Sequence, residues 1–203
     1  PEETGIPSGV IADFLTDLKN DPTLDMHTVL FVKNGAVIAS AEFGEHSMGI
    51  PKYVFSASKS VTALAIGMLI DDGKLSMNEK LVDIFGDLTN TISKLRLRDV
   101  TVETLLTMRS CSIFNEVSSM TTPDWQSEFM KSLTRGTVNT DFNYNSLNTY
   151  MLAAIVSRKT GKGLVEYLTP RLFEPLDIKN IYWEKSPEGI EKGGWGLYIR
   201  PED

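Results

Sequence analysis

Apolar positions change period twice in the first third of the chain. After Pro7-Ser8, residues Ile11, Phe14, Leu15 and Leu18 recur three and four apart, which predicts an amphipathic helix that Asn20-Asp21-Pro22 ends. Thr28 to Lys33 and Ala36 to Phe43 then read as two strands. Asn34-Gly35 between them is the strongest short hairpin signal, because a tight hairpin turn needs residues that tolerate positive φ. Gly44 to Pro51 is polar and leads into Tyr53-Val54-Phe55. From Ser58 the helical period returns through Val61, Leu64, Ala65, Met68 and Leu69, predicting a buried helix closed at Asp72-Gly73.

The middle of the chain reads as short helices and loops. Thr101 is placed to cap a helix running through Leu105 to Met108, and Thr122-Pro123 to start one over Trp125 to Leu133. A longer helix is expected from Ser146 to Lys159, stopped at Thr160-Gly161. Leu164 to Phe173 predicts another, with a break or new start at Pro170, and Pro and Gly are frequent from Glu174 onward. Strands followed by a run of helices give an α+β fold class. The expected organisation is a single domain over 1–203, with an α/β part at 1–50 and a mostly helical part at 51–203.

Composition narrows the function classes. With 20 basic against 27 acidic residues the net charge is −7, so no nucleic-acid partner is expected, since a phosphate backbone calls for a basic face. The longest apolar run, Ala63 to Ile70, is far short of the ~20 residues of a membrane helix. One cysteine, Cys111, excludes an internal disulfide, and two histidines make a zinc cluster improbable, so no metal is expected. The chain opens at Pro1 with no signal-type apolar region, which leaves its compartment open.

The candidate chemistry centres on Phe55-Ser56-Ala57-Ser58-Lys59-Ser60, at the mouth of the buried helix. Free N–H groups and the helix dipole there favour developing negative charge, and Lys59, one turn on, can reach the Ser56 hydroxyl. A serine nucleophile needs such an adjacent base, and this is the S-x-x-K arrangement. The plainer alternative is a capping serine followed by a surface lysine. Phe142-Asn143-Tyr144-Asn145-Ser146 precedes the second buried helix; a tyrosine beside a lysine can relay protons, while the plain reading makes Tyr144 core and Ser146 a cap.

Other signals are weaker. Lys159-Thr160-Gly161 spells a K-T-G triplet but sits where a helix should end, with Gly161 as its C-terminal glycine. Ser76-Met77-Asn78 reads as loop, whereas Ser146-Leu147-Asn148 is an S-x-N overlap with the tyrosine group. His27 and His46 offer thin material for a Ser-His-Asp triad, Cys111 reads as a small buried residue, and Glu116 and Asp124 as loop and cap residues. Trp195, among Gly193, Gly194 and Gly196, suits either a cleft wall or a packed turn.

Taken together these segments resemble the serine β-lactamase-like family of class C β-lactamases, DD-peptidases and related esterases. Besides the two motif segments, the resemblance is carried by Val100 through Met108, Thr160-Gly161, Leu172-Phe173-Glu174-Pro175-Leu176 and Gly193-Gly194-Trp195-Gly196-Leu197. It implies a β-lactamase/transpeptidase-like fold, with Ser56 as acylated nucleophile, Lys59 as its activating partner and Tyr144 as proton relay. It gives Asn145, Ser146 and Trp195 as substrate-binding candidates. The implied activity is hydrolysis of a small-molecule acyl substrate (ester, amide or β-lactam-like) without a cofactor. Ser146 stands where the second motif usually carries Asn, and a hydroxyl cannot copy an amide's paired donor and acceptor. Members of that family continue through a strand bearing a Lys-Thr-Gly or His-x-Gly motif, which no later residue of this chain supplies. Without it the hairpin would keep an open edge. The expectation is therefore pairing with a second copy, or a chain that is part of a longer product and nearly inert alone. A sensor that is acylated but not turned over, or an interaction domain, are the alternatives.

Overall fold

The computed structural model describes all 203 residues, and they divide into two compact units. The first comprises residues 1–52 and 199–203, the second residues 53–198.

In the first unit, helix α1 (Ser8–Asn20) is followed by strands β1 (Thr28–Lys33) and β2 (Ala36–Glu42). The expected stripe on α1 is only shallowly covered: Ile11 is buried, while Phe14 stays half exposed with its ring edge-on to Phe31 at 5.8 Å. β1 and β2 pair antiparallel from Thr28↔Glu42 to Lys33↔Ala36, with a bulge between Phe31 and Val32. Asn34 and Gly35 have φ of 53° and 77°, the left-handed pair that lets a two-residue turn match the strand twist. This sheet is two-stranded, and the paired Val32 and Val37 remain exposed on it.

The second unit is built on α2 (Ser58–Asp71) and α8 (Ser146–Thr160). Every residue of α8 from Ser146 to Val156 is buried, as befits a helix with no polar face in that stretch. Asn145 caps its start, and Gly161, at φ 73°, takes the left-handed position that ends it. The Lys159-Thr160-Gly161 triplet thus closes a helix, and the Lys159 ammonium pairs with Glu79. In α2, Ser58, Thr62, Ala65, Ile66 and Leu69 are buried, whereas Leu64 is half exposed.

Shorter helices fill the space between: α3 (Leu81–Ile84), α4 (Thr91–Arg96), α5 (Val102–Leu106), α6 (Glu116–Ser119), α7 (Trp125–Lys131) and α9 (Leu164–Leu168). Thr101 and Thr104 form a reciprocal capping box on α5. The start of α7 differs from the sequence expectation: its cap is Asp124, which accepts from the Ser127 amide at 3.0 Å, and Thr122-Pro123 lies outside. A carboxylate is the better acceptor for the free amides of a first turn. Pro170 does not stop the chain turning; α9 continues into a π-helical segment, Thr169–Phe173. Strand β3 (Lys52–Tyr53) precedes α2, and β4 (Tyr182–Trp183) pairs antiparallel with β5 (Leu197–Ile199). Strands and helices segregate along the chain, so the architecture is α+β.

The burial pattern of α2 makes a direct prediction. Leu69→Ala removes a fully buried side chain and should lower unfolding free energy by ~2–5 kcal/mol. Leu64→Ala, half exposed, should change it by under about 1 kcal/mol. Urea denaturation of the two variants checks the contrast.

Candidate active site

Three segments of the second unit meet at the mouth of α2, around Lys59. The first is the turn Phe55–Ala57, which carries Ser56. Phe55 has φ of 46°, a left-handed conformation that costs a bulky residue of order 1–3 kcal/mol. Three hydrogen bonds hold it: Ser58 Oγ donates to the Phe55 carbonyl at 2.5 Å, the Ala57 amide to Val54 at 3.0 Å, and the Val54 amide to Leu197 at 3.0 Å. The turn leaves Ser56 exposed at the start of α2.

Lys59 is the hub. Its Nζ donates to Ser56 Oγ at 3.0 Å, to Ser146 Oγ at 2.9 Å and to the Gly194 carbonyl at 2.7 Å. An ammonium has three N–H donors and no acceptor, and these three oxygens use all of them. Tyr144 Oη lies 2.8 Å from Ser56 Oγ, and Lys59 Nζ sits 4.9 Å from the centre of the Tyr144 ring. Burial works to raise the Tyr144 phenol, but the adjacent Lys59 ammonium, the hydrogen bond with Ser56 and the nearby Ser146 outweigh it. The phenol lies below its ordinary range.

Gly193 and Gly194 let the third segment come this close. A Cβ on Gly194 would lie 2.7 Å from the Ser146 carbonyl oxygen, and one on Gly193 2.8 Å from that of Thr149. Thr62 Oγ1 donates to Gly193 at 2.9 Å and the Leu197 amide to Ser58 Oγ at 3.3 Å, so α2 pins both ends of this segment.

Of the residues singled out in the sequence, Ser56, Lys59, Tyr144 and Ser146 come together. Asn145 does not join them: it is buried, its Oδ1 accepts from the Leu147 amide, and its Nδ2 donates to the Ser112 and Phe114 carbonyls at 3.1 and 2.8 Å. It ties the start of α8 to the loop before α6. Asn148 of the S-x-N overlap is fully buried and donates to the Asn145 carbonyl and Met108 Sδ, away from Ser56. Cys111 is buried, and burial with the nearby Asp141 charge pushes its thiol pKa up, against a role as nucleophile.

Trp195 lines a cavity of about 480 Å³ beside Ser56, its ring stacked on Trp125 at 5.8 Å. Tyr53, Phe55 and Met120 add apolar wall, and Glu116 and Lys192 are its charged members. Glu116 is the residue the sequence reading undervalued. It opens α6, and its Oε1 accepts from the Ser146 amide at 3.1 Å, so a carboxylate on the cavity wall also caps α8. No local pattern marks it, because its partner lies thirty residues away.

The lowered phenol is measurable. The difference in tyrosinate absorbance between the parent chain and Tyr144→Phe should show Tyr144 titrating below the ordinary phenol range. Lys59→Met should move that titration upward, since removing the ammonium destabilises phenolate. A Tyr144 titration unmoved by Lys59→Met would contradict the assignment.

Comparison with known proteins bears on the whole of this arrangement. Among solved structures, a putative 6-aminohexanoate-dimer hydrolase from Bacillus anthracis is 19% identical, with a TM-score of 0.75 over 95% of this chain and 54% of that one. The octameric penicillin-binding protein homologue from Pyrococcus abyssi is 19% identical, with a TM-score of 0.74 over 96% and 54%. A D-amino acid amidase from Ochrobactrum anthropi SV3 is 17% identical, with a TM-score of 0.64 over 86% and 61%. At these identities the likeness is one of fold, and the chain spans about half to three fifths of each of these proteins. No curated protein sequence matches. The Beta-lactamase family model matches residues 27–203, and the chain therefore belongs to the β-lactamase family.

Proposed function

We propose that this chain carries the acylating centre of a serine hydrolase, with Ser56 as nucleophile, Tyr144 as base and Lys59 as the cation that keeps Tyr144 ready. The observation that carries the reading is the saturated Lys59 ammonium, which touches Ser56 and Ser146 while Tyr144 Oη contacts Ser56 Oγ. With its three protons committed to acceptors, Lys59 serves as a fixed positive charge. Ser56 is then left to donate its own proton to the Tyr144 oxygen.

In the first step Ser56 Oγ bonds to the acyl carbon of the substrate and its proton passes to Tyr144 Oη. Negative charge develops on the carbonyl oxygen at the mouth of α2, where the helix dipole favours it. When the tetrahedral intermediate collapses, the leaving group departs with the proton from Tyr144. Water then attacks the acyl-Ser56 ester, and the same pair returns the serine. Ser146 holds Lys59 in line. The substrate class is an ester, amide or β-lactam-like acyl donor, whose acyl side would rest on Trp195, Trp125 and Tyr53.

Intact mass after exposure to a fluorophosphonate, and separately to a penicillin, tests the reading. One adduct per chain is expected, absent in Ser56→Ala. Tyr144→Phe should slow adduct formation by ~10²–10⁴. The acylation rate should rise with pH as Tyr144 ionises, and its midpoint should shift upward in Lys59→Met. An adduct that survives Ser56→Ala would overturn the assignment. An adduct formed but never released would favour a sensor over a hydrolase.

For a protein partner we propose a second copy of the chain, joined along the two-stranded β1–β2 sheet. The exposed Val32–Val37 pair supports this. Light scattering should then show mass rising with concentration, and Val37→Lys should abolish the rise; a monomer at every concentration counts against it.

A further inference from the structure

The only two histidines of the chain lie together in the first unit, far from one another in sequence and apart from the serine chemistry. His27 immediately precedes β1, and its carbonyl accepts from the Phe43 amide at 2.9 Å, so the ladder fixes its backbone. A turn follows: the His46 amide donates to the Phe43 carbonyl at 3.2 Å, with Gly44 at φ 61°. That turn folds His46 back over His27, and the two imidazoles stack with centroids 3.6 Å apart and planes 24° from parallel. Asp25, two residues before His27, completes the group, and one donor atom from each of the three lies within 4.8 Å of the others.

We propose that Asp25, His27 and His46 form a binding site for a divalent transition-metal ion of the zinc type, one imidazole turning out of the stack on binding so that the in-plane lone pairs of both rings reach the ion. Three features carry this. Asp25 Oδ2 stands 3.6 Å from His27 Nε2, beyond hydrogen-bond range. It is close to the separation of roughly 3.4 Å between two donors that each lie ~2.0–2.2 Å from one tetrahedral ion. Two imidazoles and a carboxylate form a donor set that borderline metals prefer to calcium or magnesium. An exposed Asp–His pair by itself gains little, so ion pairing gives no reason for the second imidazole to be there.

The surroundings set the number of ligands. Asp25 and His46 both line a groove of about 510 Å³ between α1 and the end of β2, with Glu42 and Met26 on its wall. Three protein donors beside an open groove leave a fourth position for water or a small anionic ligand, the composition of an open rather than a closed zinc site. Glu42 is engaged through Oε1 with the Met48 amide at 2.6 Å, so it supports the turn. The opposing element is Lys52, whose Nζ is 3.5 Å from His46 Nδ1. Its charge repels a cation, so its removal should tighten binding.

Equilibrium dialysis of zinc chloride against the 203-residue chain tests the site. One ion per chain is expected. His27→Gln and His46→Gln should each weaken binding at least about tenfold, Asp25→Asn less, and Lys52→Ala should strengthen it. Zinc should also raise the thermal midpoint of the parent chain and leave that of the double histidine variant unchanged. Far-ultraviolet circular dichroism establishes that the variants are folded, which the exposed positions of Asp25 and His27 favour. Absence of saturable binding, or equal binding by the folded double histidine variant, overturns the proposal.

Discussion

A single ammonium organises the second unit. Lys59 Nζ is the only group that touches the turn bearing Ser56, the start of α8 and the Gly193–Gly194 segment. Each contact constrains the sequence around it. A carbonyl can approach that nitrogen only because Gly194 has no Cβ to meet Ser146. Ser146 can present its hydroxyl there because Asn145 caps α8 from behind and Glu116 receives the Ser146 amide. A half-buried cation without those oxygens would carry a desolvation penalty that the fold could not offset. The cluster is therefore a folding constraint as well as a chemical device.

Strain at Phe55 belongs to the same economy. A left-handed phenylalanine next to Ser56 persists because Ser58, Val54 and Leu197 over-determine the turn. The result is an exposed Ser56 within reach of Tyr144 and Lys59. The aromatic wall is fixed with similar rigidity. Trp183 Nε1 donates to the Trp195 carbonyl at 2.8 Å, and Trp125 Nε1 to the Ser119 carbonyl at 2.9 Å. Tyr150 Oη donates to Glu188, which also accepts from the Trp125 amide, so α8 and the start of α7 are held together beneath that wall.

What the sequence disclosed depended on whether the signal was local. Asn34-Gly35, the Thr101 cap and Gly161 each act through their own backbone within a few residues, and periodicity or turn chemistry reveals them. The α+β class followed from the order of those elements. Ser56 and Lys59 are one helical turn apart, so their contact was legible too. Tyr144 lies eighty-eight positions from Ser56, and only the resemblance of whole segments linked them. For Asn145 the local pattern left two roles open, since a carboxamide beside a motif serves a helix cap or a substrate equally well on paper, and in the fold its side chain caps α8. Burial decides between them, and burial is a property of the fold. Glu116 shows the same limit: Asp124 caps its own helix, as its place in the sequence suggests, whereas Glu116, which reads as a loop residue, caps a helix thirty residues on.

The proposed division of labour between Lys59 and Tyr144 rests on proton counting rather than on the order of residues in a motif. A lysine acting as base must first give up a proton, and here each of its three protons already has an oxygen. Deprotonation would turn the Lys59 contact with Ser56 around, so that Ser56 Oγ donates to the amine, and would give up the positive charge beside the Tyr144 ring. Tyr144 meets the opposite condition. It is half exposed, it touches Ser56, and the charge beside it stabilises the form that accepts a proton. A base whose resting state is favoured by a fixed neighbour needs no rearrangement at the moment of transfer, which is how a preorganised site lowers a barrier.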